Sequence, residues 1–103
     1  MLDQLPRIIS DAIAQQNILL EAPIDLSEGP NSPLYGVDSQ IDSLTLVSIL
    51  VDVEATVLSE LSLTVHLADT SDLKEDEKPF ATYGSLCAYT RTRCAAASRL
   101  VSV

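Results

Sequence analysis

The sequence has no tryptophan, a single phenylalanine and a single histidine in 103 residues. The core must therefore be built mainly from aliphatic side chains, which supply most of the 47% apolar content. Such residues recur at helical spacing along much of the chain. We therefore expect an all-α fold, a small helical bundle that forms one domain over residues 1–103.

Basic residues are scarce, since six Lys and Arg stand against fifteen Asp and Glu and give a formal net charge of −9. This balance argues against a protein that binds nucleic acid or an anionic membrane, because both surfaces require cationic side chains. An acidic domain of this size more readily meets basic surfaces on other proteins. The same charge also serves simply to keep a small domain in solution.

Cysteines are few as well, and Cys87 and Cys94 lie seven residues apart in a segment that we predict to be helical. Seven helical residues rise ~10.5 Å, beyond the ~7 Å limit between the Cα atoms of a disulfide, so two free thiols are expected. A single His66 and no Cys-x-x-Cys pair predict no metal site.

Long apolar runs and a signal-peptide pattern are also missing from the sequence. A membrane span needs ~18 or more consecutive apolar residues, and a secretory signal needs a basic start followed by an apolar run. We therefore expect a cytoplasmic protein without a membrane span, and a monomer.

The first predicted helix covers residues 3–16, with Asp3 as its cap and Pro6 in its first turn. A long connection over 17–42 follows, because proline and glycine interrupt it repeatedly. This connection is expected to tuck a set of apolar residues against the bundle: Ile18, Leu19, Leu20, Ile24, Leu26, Leu34 and Tyr35.

The second predicted helix, from Ser43 to about residue 60, is the strongest element, with Asp42 as N-cap. One broad side is expected to be buried, formed by Leu44, Val47, Leu50, Val51, Leu58 and Leu61 and widened by Leu46, Ile49, Val53 and Val57. A narrower stripe is expected to face solvent, formed by Thr45, Ser48, Asp52, Ala55, Thr56 and Ser59.

After this helix, residues 62–67 alternate like a short strand that has no partner strand. We interpret them as an extended connector that buries Leu63, Val65 and Leu67 and leaves His66 in solvent. The charged residues 69–79 are expected to hold one or two helical turns.

The last predicted helix is capped by Thr82 and covers 83–97, and residues 98–103 are expected to fray. Its candidate inward positions are Leu86, Cys87, Tyr89 and Ala95.

Three sequence blocks stand in register with this helix pattern. They are Leu34-Tyr35-Gly36 before Asp42-Ser43-Leu44, the run Leu46–Leu50 with Glu54 after it, and the later block Pro79–Tyr89. With these blocks the chain resembles the acyl carrier protein family. The resemblance implies a four-helix bundle, with three main helices, a short third helix and a long loop between the first two.

In the family that the chain resembles, the serine of Asp-Ser-Leu carries 4′-phosphopantetheine, and here this serine is Ser43. Asp38-Ser39 offers a second Asp-Ser pair, but from Ser39 the apolar pattern falls out of phase. The resemblance implies that a phosphopantetheinyl transferase donates the arm from coenzyme A. It also implies that Asp42, Leu44 and Asp52 contact partner enzymes.

The implied function is carriage of an acyl group as a thioester, without catalysis by the chain itself. Its partners would be an acyl-loading ligase or acyltransferase and downstream biosynthetic enzymes of a specialised lipid, polyketide or related pathway. Because the expected exposed stripe of the second helix has few acidic residues, docking through ion pairs should be weak there.

Three alternatives remain open. The chain could be a peptidyl or aminoacyl carrier loaded by an adenylating enzyme, or a helical adaptor of the same fold that never receives the arm. It could also be an enzyme that uses Ser43 with His66, although no acidic third residue is indicated by spacing.

Overall fold

The computed structural model describes residues 2–19, 24–35, 41–68 and 78–101. Three α-helices lie in these ranges: α1 is Leu5–Asn17, α2 is Ser43–Leu61 and α3 is Tyr83–Val101. Two short 3-10 turns accompany them, at Leu2–Gln4 and Gly29–Asn31. Within the described ranges no β-strand forms, and one isolated antiparallel bridge joins Pro33 to Thr82. The all-α class is therefore confirmed. None of these three helices has the length and hydropathy that crossing a bilayer requires.

Helix α1 packs against both other helices. Its buried face follows the predicted spacing and consists of Leu5, Ile8, Ile9, Ala12 and Ile13. Pro6 lies in the first turn as predicted, but the prediction of Asp3 as the cap is wrong. Asp3 is part of the preceding 3-10 turn, and Gln4 occupies the cap position without a side-chain hydrogen bond.

Two polar contacts show that α1 and α2 run antiparallel. Arg7 near the start of α1 donates to Glu60 at 2.7 Å, near the end of α2. Gln16 near the end of α1 lies 3.5 Å from the carboxylate of Asp52, in the middle of α2. These contacts are partly exposed and contribute little to stability, so the apolar faces between the helices hold the pair together.

Helix α2 ends at Leu61 because Ser62 adopts a left-handed backbone conformation, with φ 58°. The segment 62–67 then runs without regular structure, as predicted, and buries Leu63, Val65 and Leu67. His66 between them is exposed, which is also as predicted. These three side chains extend the core beyond the helices.

The backbone of Leu67 is held from two sides. Its N–H donates to Oε2 of Glu54 on α2 at 2.8 Å, and its carbonyl accepts a hydrogen bond from the hydroxyl of Tyr89 on α3 at 2.9 Å. We call these two hydrogen bonds the Leu67 clamp. Leu67 is completely buried, so both of its backbone groups need such partners.

Helix α3 begins with the predicted cap at Thr82. The Thr82 hydroxyl accepts from the N–H of Ser85 at 3.1 Å, and the Ser85 hydroxyl accepts from the N–H of Thr82 at 3.0 Å. This reciprocal pair resembles a capping box, with a serine in the place of the usual Glu or Gln. The backbone N–H groups of Thr82 and Ser85 thus find hydrogen-bond partners in side chains at the same helix start.

The other end of α3 differs from the prediction. The sequence predicts a helix end near Ala97 and a frayed tail from Ser98, but the backbone stays helical to Val101. Leu86 and Tyr89 are buried as predicted, and Cys87 and Ala95 are half-buried. Cys94 and Thr90 are fully buried although neither was among the candidate inward positions of this helix. Both cysteines are free thiols, as expected.

The apolar residues in the connection between α1 and α2 were predicted to pack against the bundle, and only some of them do. Ile24 and Leu34 are buried and Leu26 is half-buried. The prediction is wrong for Ile18 and Leu19, which come directly after the end of α1 and are each 76% exposed, and for Tyr35, which is 38% exposed. Helical turns, including the short third helix, were predicted over 69–79. Leu20 and residues 69–77 of that segment lie outside the described residues.

Residues 32–35 of this connection pair with residues 80–83 at the start of α3. The N–H groups of Leu34 and Tyr35 donate to the carbonyls of Ala81 and Phe80, at 2.8 and 3.0 Å. The N–H of Tyr83 donates to the carbonyl of Ser32 at 2.9 Å. Two of the sequence blocks that carry the resemblance therefore meet in space, although about 45 residues separate them.

Replacing Gly84 with alanine should destabilise the protein. A Cβ at this position would lie 2.8 Å from both the Cβ and the carbonyl oxygen of Pro30. Helix propensity alone favours alanine by ~1 kcal/mol, whereas overpacking against a fixed backbone costs ~1–3 kcal/mol. We expect the overpacking to exceed the propensity gain, and urea denaturation of the variant measures the result.

The matched control is Thr92→Ala at an exposed position of the same helix. There the propensity gain has no steric penalty, so stability should be unchanged or slightly higher. A Gly84→Ala protein that is as stable as the wild type would contradict the close packing of Pro30 on α3.

Candidate functional site

The start of α2 is set by Asp42. Its backbone is extended, with φ −90° and ψ 176°, while its carbonyl already accepts from the N–H of Leu46 at 3.0 Å. Its side-chain Oδ1 accepts from the N–H of Thr45 at 2.8 Å. Asp42 is therefore the N-cap, as predicted, and Ser43 is the first residue of the helix.

The carboxyl of Asp42 is biased toward its charged form. The hydrogen bond from the Thr45 backbone N–H stabilises the carboxylate and lowers the pKa of Asp42 below its usual value. The positive end of the helix dipole acts in the same direction. An acidic group therefore stands next to Ser43 at neutral pH.

Ser43 itself is exposed. No described residue forms a hydrogen bond with its hydroxyl. The first N–H groups of a helix have no partners within the helix and attract anions, so a phosphate attached at this position would be favoured. The site thus combines an exposed hydroxyl with the first N–H groups of a helix, which favour an anion.

Buried residues on the amino side hold this helix start in place. Ile41 is 6% exposed, and Leu34 at the far side of the loop is fully buried and hydrogen-bonded to Ala81. The residues between them, including Ser39, lie outside the described part of the chain. The choice between Ser43 and Ser39 therefore stays a prediction made from the register.

The face that α2 turns to solvent differs from the prediction. Leu44 is 76% exposed, Val47 46%, Val51 54% and Leu58 55%, although all four were predicted to be buried. The residues that do face the core are Leu46, Ile49, Leu50, Val53, Val57 and Leu61. We call Leu44, Val47, Val51, Ala55 and Leu58, which are all exposed, the apolar face of α2.

The predicted polar stripe lies on the flank of α2 instead. Of its six residues, Ala55 and Ser59 are exposed as predicted, whereas Thr45, Ser48, Asp52 and Thr56 are half-buried. Two of their hydroxyls are satisfied within the helix, since Ser48 donates to the carbonyl of Leu44 at 3.1 Å and Thr56 to that of Asp52 at 2.9 Å. Because these groups bond to their own backbone, they tolerate partial burial, and the polar pattern does not mark the solvent side.

The three residues predicted to recognise partners do not all share this face. Leu44 belongs to it, and exposed Asp42 stands at its amino end. The carboxylate of Asp52 instead lies 3.5 Å from Nε2 of Gln16 on α1. The structure thus brings Asp42, Ser43 and Leu44 together and places Asp52 on the flank.

An open groove of about 280 Å³ lies beside the second half of the apolar face. Its walls come from α2 and from the segment after it, and they consist of Val51, Glu54, Ala55, Leu58, Thr64, Val65 and His66. The sequence does not predict this groove, since it depends on how the segment 62–66 turns back along α2.

His66 is too far from Ser43 to activate it. The groove that His66 lines begins eight residues along α2 from Ser43, which corresponds to ~12 Å of helix rise. A hydrogen bond between a nucleophile and its base requires about 3 Å. The structure therefore does not bring Ser43 and His66 together as a catalytic pair.

Neither cysteine offers a reactive thiol. Burial raises the pKa of Cys94 and that of Cys87, so the thiolate form is disfavoured in both. Among the described residues no group of three or more His, Cys, Asp or Glu side chains is arranged to hold a metal ion.

Comparisons of the chain with protein-family models, with curated proteins and with solved structures gave no match.

A pair of aspartate substitutions one turn apart on α2 tests which face is buried. Leu50 is 2% exposed, so Leu50→Asp would bury a charge without a partner and should abolish cooperative unfolding. Val47 is 46% exposed, so Val47→Asp should change the free energy of unfolding by only about 0.5 kcal/mol. Thermal melts followed by circular dichroism distinguish the two, and equal damage would contradict the exposed apolar face.

Acid should remove the stabilisation that the Asp42 charge gives to α2. Because the pKa of Asp42 is lowered in the folded state, this stabilisation is present above the unfolded Asp pKa of about 3.9 and is lost as the pH falls through the folded value. Asp42→Asn keeps a capping oxygen but removes the charge. The melting temperature of the wild type should exceed that of the variant at neutral pH, and the gap should close as the pH falls through the lowered pKa of Asp42. A gap that does not change with pH would contradict this role of the charge.

Proposed function

We propose that this protein is a carrier that holds an acyl group as a thioester on a 4′-phosphopantetheine arm attached to Ser43. The observation that carries the proposal is the exposed hydroxyl of Ser43, to which no described residue forms a hydrogen bond, at the first position of α2 inside Asp42-Ser43-Leu44. Four-helix carrier architecture, with the short helix in the charged segment after Leu67, is part of the same proposal.

The residues around Ser43 suit the attachment step. A separate transferase would bring coenzyme A, whose pyrophosphate bond breaks as the Ser43 oxygen forms the new P–O bond. The nucleotide half leaves, and a base on the transferase takes the serine proton. When attached, the arm supplies a thiol for thioester formation. The free N–H groups at the start of α2 would favour the phosphodiester charge.

The rigid elements near Ser43 also support carriage. Asp42 caps the helix, Ile41 is buried, and the paired residues 32–35 and 80–83 fix the loop to α3. An arm attached at Ser43 would therefore move around a fixed point. A tether of this kind presents its cargo to each enzyme at high effective concentration.

The partners of the proposed carrier would first meet the start of α2. Asp42 offers an exposed carboxylate and Leu44 an exposed apolar side chain, on either side of Ser43. A transferase would contact both residues, and so would a loading ligase or acyltransferase. Asp52 lies against α1, so its contribution to these contacts would be smaller.

Intact-mass measurement tests the proposal. The protein is incubated with coenzyme A, Mg²⁺ and a phosphopantetheinyl transferase of broad specificity. We expect a mass gain of one phosphopantetheine in the wild type, because the Ser43 hydroxyl is accessible. Ser43→Ala should gain nothing, and Ser39→Ala is the matched control that should be modified like the wild type.

Two results of the mass measurement would contradict different parts of the proposal. A wild-type mass that does not change would contradict the carrier function and would favour an unmodified helical adaptor, which the exposed apolar face of α2 also suits. A gain that persists in Ser43→Ala but disappears in Ser39→Ala would keep the function and move the attachment site.

A further inference from the structure

Charge is distributed unevenly between α3 and the rest of the chain. Helix α3 contains three of the six basic residues, Arg91, Arg93 and Arg99, and no Asp or Glu, so its formal charge is +3. The remainder of the chain has three basic and fifteen acidic residues, which give a formal charge of −12. A basic helix without a single carboxylate is therefore a local exception in a strongly acidic protein.

Arg91 is exposed and differs from the other arginines that the structure describes. Arg7 pairs with Asp11 at 3.1 Å and with Glu60 at 2.7 Å, and the guanidinium of Arg93 lies 4.9 Å from the ring centroid of Tyr89. In the described part of the chain no carboxylate forms an ion pair with Arg91. Its five N–H donors therefore remain available for a carboxylate from outside this part of the chain.

The residues beside Arg91 leave room for a close neighbour. Ala88, Thr92 and Ala96 are exposed and follow one side of α3 at intervals of four residues, next to Arg91. The hydroxyl of Thr92 donates to the carbonyl of Ala88 at 3.0 Å, so covering it leaves no hydroxyl without a partner. We call Ala88, Arg91, Thr92 and Ala96 the basic face of α3. Its guanidinium projects from a side of the helix that has no bulky side chain at these positions.

The distribution of charge narrows the choice of occupant. A second copy that packed its own α3 on the basic face would bring arginine toward arginine, and neither helix has a carboxylate to pair with them. Nucleic acid and anionic membranes extend over large areas, so they would also meet the −12 charge of the remaining chain. A single helix with a carboxylate of its own can contact α3 alone. The face therefore fits an acidic helix of a different protein.

We propose that the basic face of α3 binds one acidic amphipathic helix of a partner protein. A glutamate or aspartate of that helix lies opposite Arg91 and accepts two parallel hydrogen bonds from its guanidinium. Apolar side chains beside this carboxylate cover Ala88 and Ala96. The interaction uses a different helix from the one that begins at Ser43, and it does not require that Ser43 carry an arm.

The probes are three synthetic helical peptides of three heptads, each with a fluorescent label. All have leucine at both seam positions and alanine on the far side. They differ only at the positions that flank the leucines, which are glutamate in the first peptide, glutamine in the second and lysine in the third. Fluorescence anisotropy gives the affinity of the full chain for each peptide at about 150 mM NaCl, where charges more than ~8 Å apart are largely screened.

We expect the glutamate peptide to bind about fivefold more tightly than the glutamine peptide, and the lysine peptide to bind most weakly. This order is the opposite of what the net charge of −9 would produce, because overall attraction would favour the lysine peptide. A preference for glutamate therefore reports a local contact with a cation. Equal or tighter binding of the lysine peptide would overturn the proposal.

Variants of the full chain locate the contact. Arg91→Gln should weaken binding of the glutamate peptide about fivefold, while Arg7→Gln removes the same charge from an exposed position of α1 and should leave the affinity unchanged. Arg91→Glu should bind the lysine peptide more tightly than the glutamate peptide, because the two charges of the pair are then exchanged. Undiminished binding of the glutamate peptide by Arg91→Gln, or an unchanged preference in Arg91→Glu, would overturn the proposal.

Further measurements address other occupants of the basic face. Self-association of the wild type in analytical ultracentrifugation, or its binding to phosphatidylglycerol vesicles or to single-stranded DNA, would overturn the proposal if Arg91→Gln abolished it.

Two variants on α2 separate this interaction from other surfaces and from the carrier function. Val51→Asp and Ser43→Ala should each bind the glutamate peptide like the wild type, because neither residue lies on α3. Loss of binding in either variant would overturn the proposal. The intact-mass test of Ser43 does not depend on Arg91, so a failure of phosphopantetheine attachment would leave this interaction standing, and a failure of peptide binding would leave the attachment standing.

Discussion

The Leu67 clamp is the constraint on which the arrangement of the helices depends. Leu67 is fully buried, and the N–H and carbonyl of its backbone need partners that water cannot supply there. Glu54 of α2 provides one partner and Tyr89 of α3 the other. Tyr89 is fixed in turn by an edge-to-face contact with Phe80 at 5.5 Å and by the guanidinium of Arg93 over its ring at 4.9 Å. One buried peptide unit thus ties the two long helices to the same point.

This constraint also sets the rotation of α2 about its axis. With Glu54 directed at Leu67 and Asp52 near Gln16, the two flanks of α2 are occupied by polar contacts to the segment 62–67 and to α1. The side between these flanks faces the core and carries Leu46, Ile49, Leu50, Val53, Val57 and Leu61. The remaining side is left to solvent although it is apolar. The apolar face is therefore a consequence of where the polar side chains of α2 find partners.

The sequence predicts the helices well because the signals for them are local. Asp42 and Thr82 precede apolar periodic segments and cap α2 and α3 as expected, and the alternation over 62–67 correctly separates buried Leu67 from exposed His66. The amino end of α1 is harder to predict. An aspartate at this place can cap a helix or belong to a preceding 3-10 turn, and Asp3 does the latter.

The sequence does not predict which side of α2 faces solvent. Apolar residues lie on most sides of the helix, and tertiary contacts determine which of them are buried. Val47 and Leu50 are chemically alike and three residues apart, yet one is half-exposed and the other is in the core. The groove depends on the path of a segment without regular structure, so no local signal encodes it. For the candidate site the sequence supplies Asp42, Ser43 and Leu44, and the fold adds the face that extends from them.

Ser43 and the apolar face of α2 meet at the first turn of the helix. Ser43 is the first residue of α2, and Leu44, the next residue, begins the apolar face. Any protein that packs along the face is therefore aligned with the helix axis, and its distance from Ser43 is fixed by how far along α2 it binds. The groove lies on the half of the helix away from Ser43, so an anchor placed there leaves the start of α2 open. Under the carrier proposal, the attachment residue and the groove would therefore lie on opposite halves of the same helix.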